Sequence, residues 1–197
     1  MMTKPLQPLI VSDNLTPPPP SSPKALKGVL ISESAIQDRI DELAVKINTD
    51  YGQEPLLVIG VLTGTILFFA DLVRRLNGPI EMDFIGISSY RDGTTSGEIN
   101  ITGANKTDLK DRRVLVVDDI LDGGQTLSTV IRELSAQQPK ELKTCVLLEK
   151  KERRQVPINA DYVGFHIPNY FVVGFGLDYA ERYRNLPYVG VLDEDQL

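Results

Sequence analysis

Val114-Leu115-Val116-Val117-Asp118-Asp119-Ile120-Leu121-Asp122-Gly123-Gly124-Gln125-Thr126 is the stretch that decides how this chain folds. Its first four residues form an unbroken apolar run, the mark of a strand buried on both faces rather than one with a wet side. Three carboxylates, two glycines and a threonine follow at once. Beyond them Leu127, Val130, Ile131 and Leu134 recur at helical spacing, so the segment predicts a strand, a glycine turn and a helix in series.

The flanking sequence repeats this alternation. Leu56 to Val61 is a second apolar run, followed by Thr63-Gly64-Thr65 and a helical segment from Ile66 to Leu76 that stops at Asn77-Gly78-Pro79. A capping pattern at Ser34 and Gln37 introduces an earlier helix with Ile36, Ile40, Leu43, Ala44 and Ile47 on one face. Ile80 to Ser88 and Leu142 to Leu148 read as further strands. The expected fold is therefore α/β, with a mostly parallel central sheet flanked by helices. Short strands and turns after Pro157 predict a small accessory hood. The polar segment from Ser89 to Asp111 is long for a connection and fits a lid or hairpin.

Residues 1–24 read as a weakly ordered tail, because residues 1–23 hold seven of the 13 prolines and no glycine or aromatic residue. Residues 25–197 are expected to form a single domain, since 197 residues suit one domain better than two. Acidic residues outnumber basic ones by 27 to 21, and the net charge of -6 disfavours a nucleic-acid binder. The only cysteine, Cys145, excludes an internal disulfide, and the only histidine, His166, makes a zinc centre improbable. No apolar stretch approaches a membrane span, and Pro5 and Pro8 interrupt the N-terminus, so a cytoplasmic protein is expected.

In an open parallel sheet, ligands bind beyond the carboxyl ends of the strands, which is where Asp118 to Thr126 fall. Gly123 and Gly124 let backbone N–H groups converge, Thr126 adds a hydroxyl, and the following helix presents its positive end, a set suited to phosphate. Asp118 and Asp119 suit vicinal hydroxyls or a divalent cation. Aspartate and glycine after a strand are also ordinary turn and cap residues, yet three Asp, two Gly and a Thr in nine residues exceed what a turn needs. A phosphosugar satisfies both halves.

VLVVDDILDGGQT closely resembles the 5-phosphoribosyl pyrophosphate (PRPP) signature of type I phosphoribosyltransferases. Three further segments follow the order of the hypoxanthine-guanine branch over roughly residues 28 to 192. They are Ser89-Tyr90 before a glycine-containing loop, Leu147-Leu148-Glu149-Lys150 with Arg153-Arg154, and the run from Phe171 to Tyr179 with Arg184. The resemblance implies transfer of a 5-phosphoribosyl group from magnesium-bound PRPP to hypoxanthine or guanine, releasing pyrophosphate. It gives Asp118 and Asp119 the ribose hydroxyls, Asp122 to Thr126 (with Gly123, Gly124 and Gln125) the 5'-phosphate, and Asp122 also the purine N7 proton. Lys150 would meet O6, Phe171 would stack on the purine, and the Val172 backbone would read its edge. Asp178 would border the purine and position Mg²⁺, while Thr63, Gly64 and Arg184 would hold pyrophosphate. Ser89 and Tyr90 would open a lid over PRPP, the Leu62–Thr63 bond would be cis, and the chain would form a homodimer or homotetramer. His166 receives no role and reads as structural.

Two positions depart from the family pattern: Asp118 stands where Glu is common, and Thr63 where a basic residue is common. Both bear on PRPP affinity rather than reaction type. Two alternatives remain, a relative with xanthine or broader 6-oxopurine preference and a nucleic-acid-binding regulator on the same fold. The second is opposed by the net charge and by the lack of a helix-turn-helix pattern.

Overall fold

The apolar runs become neighbouring strands of one sheet in the computed structural model, which describes residues 6–89, 99–102, 107–193 and 195. In chain order the first elements are β1 (Leu9–Ile10), β2 (Leu26–Ile31), α1 (Glu33–Tyr51), β3 (Leu56–Leu62), α2 (Ile66–Val73) and β4 (Ile80–Ser89). Then come β5 (Ile99–Thr102), β6 (Arg113–Leu121), α3 (Gln125–Ser135), β7 (Glu141–Glu149), β8 (Tyr162–His166), β9 (Val172–Val173) and β10 (Val189–Leu192). The main sheet runs β1-β8-β7-β6-β3-β4-β5, parallel throughout except for β5, which pairs antiparallel with β4.

Alternation along β6 explains why its sequence is apolar without interruption. Leu115 and Val117 face a core that holds Ile36, Ile40 and Leu43 of α1 and Phe68 and Leu72 of α2. Val114 and Val116 point the other way, into a cluster with Leu127, Val130 and Leu134 of α3. All four are 0% exposed, so a polar side chain at any of them would lose water without gaining a partner. Among the described residues no helix is long and apolar enough to cross a membrane.

Four details differ from the sequence reading. The α1 cap is Ser32, not Ser34: Ser32 is extended (ψ 158°) and its Oγ accepts from the Ala35 N–H at 3.2 Å, while the Ser34 hydroxyl pairs with Ser32 Oγ at 3.1 Å. Helix α2 ends at Val73, and Arg75 and Leu76 continue as tighter turns. The hood is a three-stranded antiparallel sheet of order β2-β10-β9, so it borrows a strand from near the N-terminus, whereas β8 joins the main sheet. The segment read as a weakly ordered tail is extended but docked. Leu9 and Ile10 pair with Phe165 and His166, Thr16 bridges to Val29, and Leu6, Val11 and Leu15 pack on the core. Arg39, only 1% exposed, donates to the carbonyls of Gln7, Val163 and Gly164 and so fastens that segment to β8.

Of the expected lid, β5 is the described part between residues 89 and 107; Tyr90 and the remainder of that stretch lie outside the described residues, and Ser89 is the last residue of β4.

Candidate active site

The carboxyl ends of β3 and β6 meet a hood loop around a cleft of about 490 Å³. It brings together Thr63, Gly64, Asp118, Asp119, the whole run from Asp122 to Thr126, Asp178 and Arg184. These residues were singled out from three separate stretches of sequence, and the parallel topology gathers them because β3 and β6 are adjacent.

Asp118 and Asp119 sit at the end of β6, with Asp118 only 6% exposed. The Asp119 N–H donates to Asp118 Oδ1 at 3.0 Å and the Ile120 N–H to Asp119 Oδ1 at 2.7 Å, which fixes both side chains. Burial pushes both carboxyls above the ordinary aspartate value. The neighbouring Asp119 charge raises Asp118 further, while Arg184 opposes the rise in Asp119. A dehydrated carboxylate pair of this kind is best satisfied by hydroxyl donors.

The loop after it is shaped for an anion. Gly124 caps α3 with φ 93°, a left-handed conformation that favours glycine, and no side chain caps the helix. The first N–H groups of α3 therefore have no intrahelical partner and face the cleft end. Behind the loop, Gly123 O accepts from the N–H groups of Gln155 (2.9 Å) and Val156 (3.2 Å).

Across the cleft the Leu62–Thr63 peptide is cis, as the resemblance implies. Gly64 lies between two close neighbours: an added Cβ would stand 1.8 Å from Asp119 Oδ2, and a Cβ on Gly176 (φ 99°) would stand 1.9 Å from Gly64 O. Arg184 ties this wall together, donating to Gly176 O at 2.8 Å while its NH2 lies 2.9 Å from Asp178 Oδ1 and 3.0 Å from Glu181 Oε2. Around it Phe175, Ala180, Glu181 and Tyr183 all have positive φ, a concentration of unfavourable backbone typical of a working site.

Lys150, 4% exposed, follows β7, and its Nζ lies 3.6 Å from Asp122 Oδ2. Burial lowers its pKa, and the Asp122 carboxylate opposes that shift. Arg153 approaches the other Asp122 oxygen, at 3.7 Å. Lys150, Phe171 and Val172 do not line the main cleft. Phe171, 38% exposed, borders a separate hollow of about 300 Å³ with Lys27 and Tyr170 and packs edge-on against Tyr179 at 5.6 Å; Val172 is buried in β9.

The sequence reading missed Glu181, which lines the cleft and shares Arg184 with Asp178; its position three residues before Arg184 was the available signal. It also gave Arg153 and Arg154 no separate roles. Among the described residues no three acidic, histidine or cysteine side chains converge as a ready metal site. The cleft nevertheless carries the hard oxygen donors Asp118, Asp119, Asp178 and Glu181, which fits a cation that keeps water and ligand oxygens.

Comparison with known proteins agrees with this geometry. Residues 31–180 match the phosphoribosyl transferase domain family. The bifunctional protein TilS/HprT of Listeria monocytogenes is 48% identical over 168 residues, which is 85% of this chain but only 26% of that longer protein. The hypoxanthine-guanine phosphoribosyltransferase of Streptococcus pneumoniae is 48% identical over 172 residues, 86% of this chain and 95% of the relative. A crystal structure of a hypoxanthine phosphoribosyltransferase from Staphylococcus aureus gives a TM-score of 0.83 at 40% identity, covering 87% of this chain and 94% of that one. With a family match over most of its length and relatives this similar, the chain belongs to the hypoxanthine-guanine phosphoribosyltransferases.

Proposed function

We propose that the cleft transfers the 5-phosphoribosyl group of PRPP to N9 of hypoxanthine or guanine, giving IMP or GMP and pyrophosphate, a purine-salvage reaction. One observation carries the reading: a carboxylate pair, an uncapped glycine loop and an arginine-held glycine wall share one cleft. Those three parts match a ribose, its 5'-phosphate and a pyrophosphate leaving group.

Asp118 and Asp119 accept from the ribose hydroxyls, and the N–H groups of Gly123 to Thr126, with the Thr126 hydroxyl, hold the 5'-phosphate. Thr63 and Gly64 offer backbone donors to pyrophosphate, and Arg184 offers charge. As the bond from C1' to pyrophosphate lengthens, the ribose becomes cationic and the leaving group gains charge, so donors fixed on pyrophosphate stabilise the transition state. The purine stacks on Phe171, with Val172 at its edge. Lys150 donates to O6, and Asp122, already 3.6 Å from Lys150, takes the N7 proton. Asp178 would be among the residues that hold Mg²⁺, on which the family generally depends, and the bound ion would add positive charge where pyrophosphate departs.

The remaining parts of the reading are a cytoplasmic enzyme, one catalytic domain over residues 25–197 with the preceding segment docked on its sheet, no nucleic-acid partner, and a homodimer or homotetramer. The exposed apolar residues Ile66 and Leu67 of α2 and Met82 and Phe84 of β4 support self-association.

The test is one assay. Purified protein with PRPP and Mg²⁺ is offered hypoxanthine, guanine, xanthine, adenine, uracil and orotate, and nucleotide formation is followed for each. Turnover with hypoxanthine and guanine is expected. Turnover only with xanthine, or with none of the six, overturns the reading.

A further inference from the structure

We propose that the pairing of half-buried Arg154 with buried Glu149 is a positioning element that mechanically links the base-reading lysine to the 5'-phosphate loop, so that a ligand at one is felt at the other. The inference rests on the ligand assignments of the previous subsection.

Glu149 is the last residue of β7 and directly precedes Lys150; it is 4% exposed. Arg154, its side chain 15% exposed, donates from NH2 to Glu149 Oε1 at 2.6 Å. His166 Nδ1 lies 2.8 Å from the other oxygen, which gives the single histidine a place beside this carboxylate. Arg154 NH1 is buried with no hydrogen-bond partner among the described residues, so the bond to Glu149 is the main anchor of the guanidinium. Arg153, by contrast, keeps 53% of its side chain exposed. The two adjacent arginines thus do different things.

The stem of Arg154 continues to the phosphate loop. Its Cδ lies 3.4 Å from where a Cβ on Gly124 would stand, so it backs the left-handed glycine that starts α3. The next two residues clasp the same loop: the Gln155 and Val156 N–H groups donate to Gly123 O, and Gln125 Nε2 donates to Gln155 Oε1 at 2.6 Å. At the other end, the Lys150 N–H donates to Leu121 O at 3.0 Å, and Asp122 lies between the Lys150 and Arg153 side chains. Residues 149–156 therefore form a strap whose first residues carry the base lysine and whose last residues hold Gly123, Gly124 and Gln125 from behind. A buried ion pair is a poor source of net stability, because dehydration of both charges cancels most of their attraction. Its value here is geometric: ordering the loop around a phosphate orders the strap, and the strap orders Lys150.

Coupling of this kind is reciprocal and measurable. Hydrogen exchange on the wild-type protein is the first measurement. PRPP with Mg²⁺ should protect the amides of residues 150–156, and a hypoxanthine analogue with carbon in place of N9, which cannot be ribosylated, should protect those of residues 123–128. Calorimetry supplies the second: PRPP with Mg²⁺ should tighten analogue binding by about tenfold, within the usual range for coupled sites. In the double variant Glu149→Gln/Arg154→Met, which removes both charges and leaves neither unpaired, the tightening should fall below about twofold at a near-normal melting temperature. A wild-type protein that binds neither ligand overturns the site assignment itself. Binding of both without cross-protection overturns the strap alone, as does undiminished coupling in a folded double variant. If that variant does not fold, the wild-type exchange pattern decides.

Discussion

Replacing Gly64 with alanine puts a methyl carbon 1.8 Å from Asp119 Oδ2, about half the ~3.5 Å at which nonbonded heavy atoms rest. The turn cannot retreat, because Gly176 already approaches Gly64 O from the other side so closely that it too has no room for a Cβ. The carboxylate must therefore move by about 1.7 Å to regain ordinary separation. That displacement breaks the 2.7 Å bond from the Ile120 N–H and takes Asp119 away from the ribose position. Overpacking of this size costs about 1–3 kcal/mol, and in a chain of this length each kcal/mol lowers the melting temperature by about 2–4 °C. The catalytic loss should be larger, since a misplacement near 1 Å can cost about 10²-fold. Steady-state kinetics at varied PRPP and saturating hypoxanthine should show kcat/KM for PRPP reduced by about that factor, with the protein still folded by circular dichroism. A Gly64→Ala enzyme within about threefold of wild type would refute the claim that this glycine is required by the Asp119 contact.

Asp122→Asn keeps the side-chain shape but cannot take the N7 proton, so turnover should fall by about 10² to 10⁴-fold in protein still folded by circular dichroism; near-normal turnover would show that another group is the base. Lys150→Gln should lose much of its activity with hypoxanthine and guanine and narrow the gap to adenine, because a donor-only ammonium favours the O6 acceptor and an amide can present either end. Wild-type adenine rates within about tenfold of hypoxanthine would count against the lysine as discriminator. Asp118, held above 3.8 by burial and by Asp119, binds protons more tightly folded than unfolded, so its burial favours folding below pH 3.8 and that advantage is lost as pH rises through its folded pKa. Asp118→Asn should accordingly raise the melting temperature at pH 8 and not at pH 3.5, while weakening PRPP binding; equal shifts at both values would contradict the assignment.

What the sequence made legible was local. The strand-turn-helix at residues 114–135 could be read because burial on both faces, glycine chemistry and helical spacing each leave a mark within a few residues. The main sheet followed from the same marks on Leu56 to Val61 and Leu142 to Leu148. The hood was expected after Pro157, but its use of β2 was not, because β2 pairs with β10 across most of the chain and no local pattern encodes a partner so distant. Ser34 offered as good a cap as Ser32; the choice depended on where β2 releases the chain. In the site, the PRPP side stood out by its unusual density of Asp and Gly. The roles of Glu149 and Arg154 were hidden, since a run of charges after a strand normally means a solvated surface and only the fold turns Arg154 inward.

Arg39 shows that a boundary of composition need not be a boundary of cooperativity. A shortened protein beginning at Ala25, the obvious place to trim a proline-rich leader, removes the Gln7 carbonyl that accepts from Arg39 NH2 at 2.6 Å. It also strips the Leu9–Ile10 strand from the free edge of β8. The Arg39 guanidinium would then exchange one of its protein acceptors for water, at about 0.5–1.5 kcal/mol for the hydrogen bond lost. The proline-rich leader behaves as a latch on the far edge of the sheet, and trimming or tagging within residues 6–16 perturbs the folded unit itself, at the opposite end of the molecule's sequence from the β8 edge it secures.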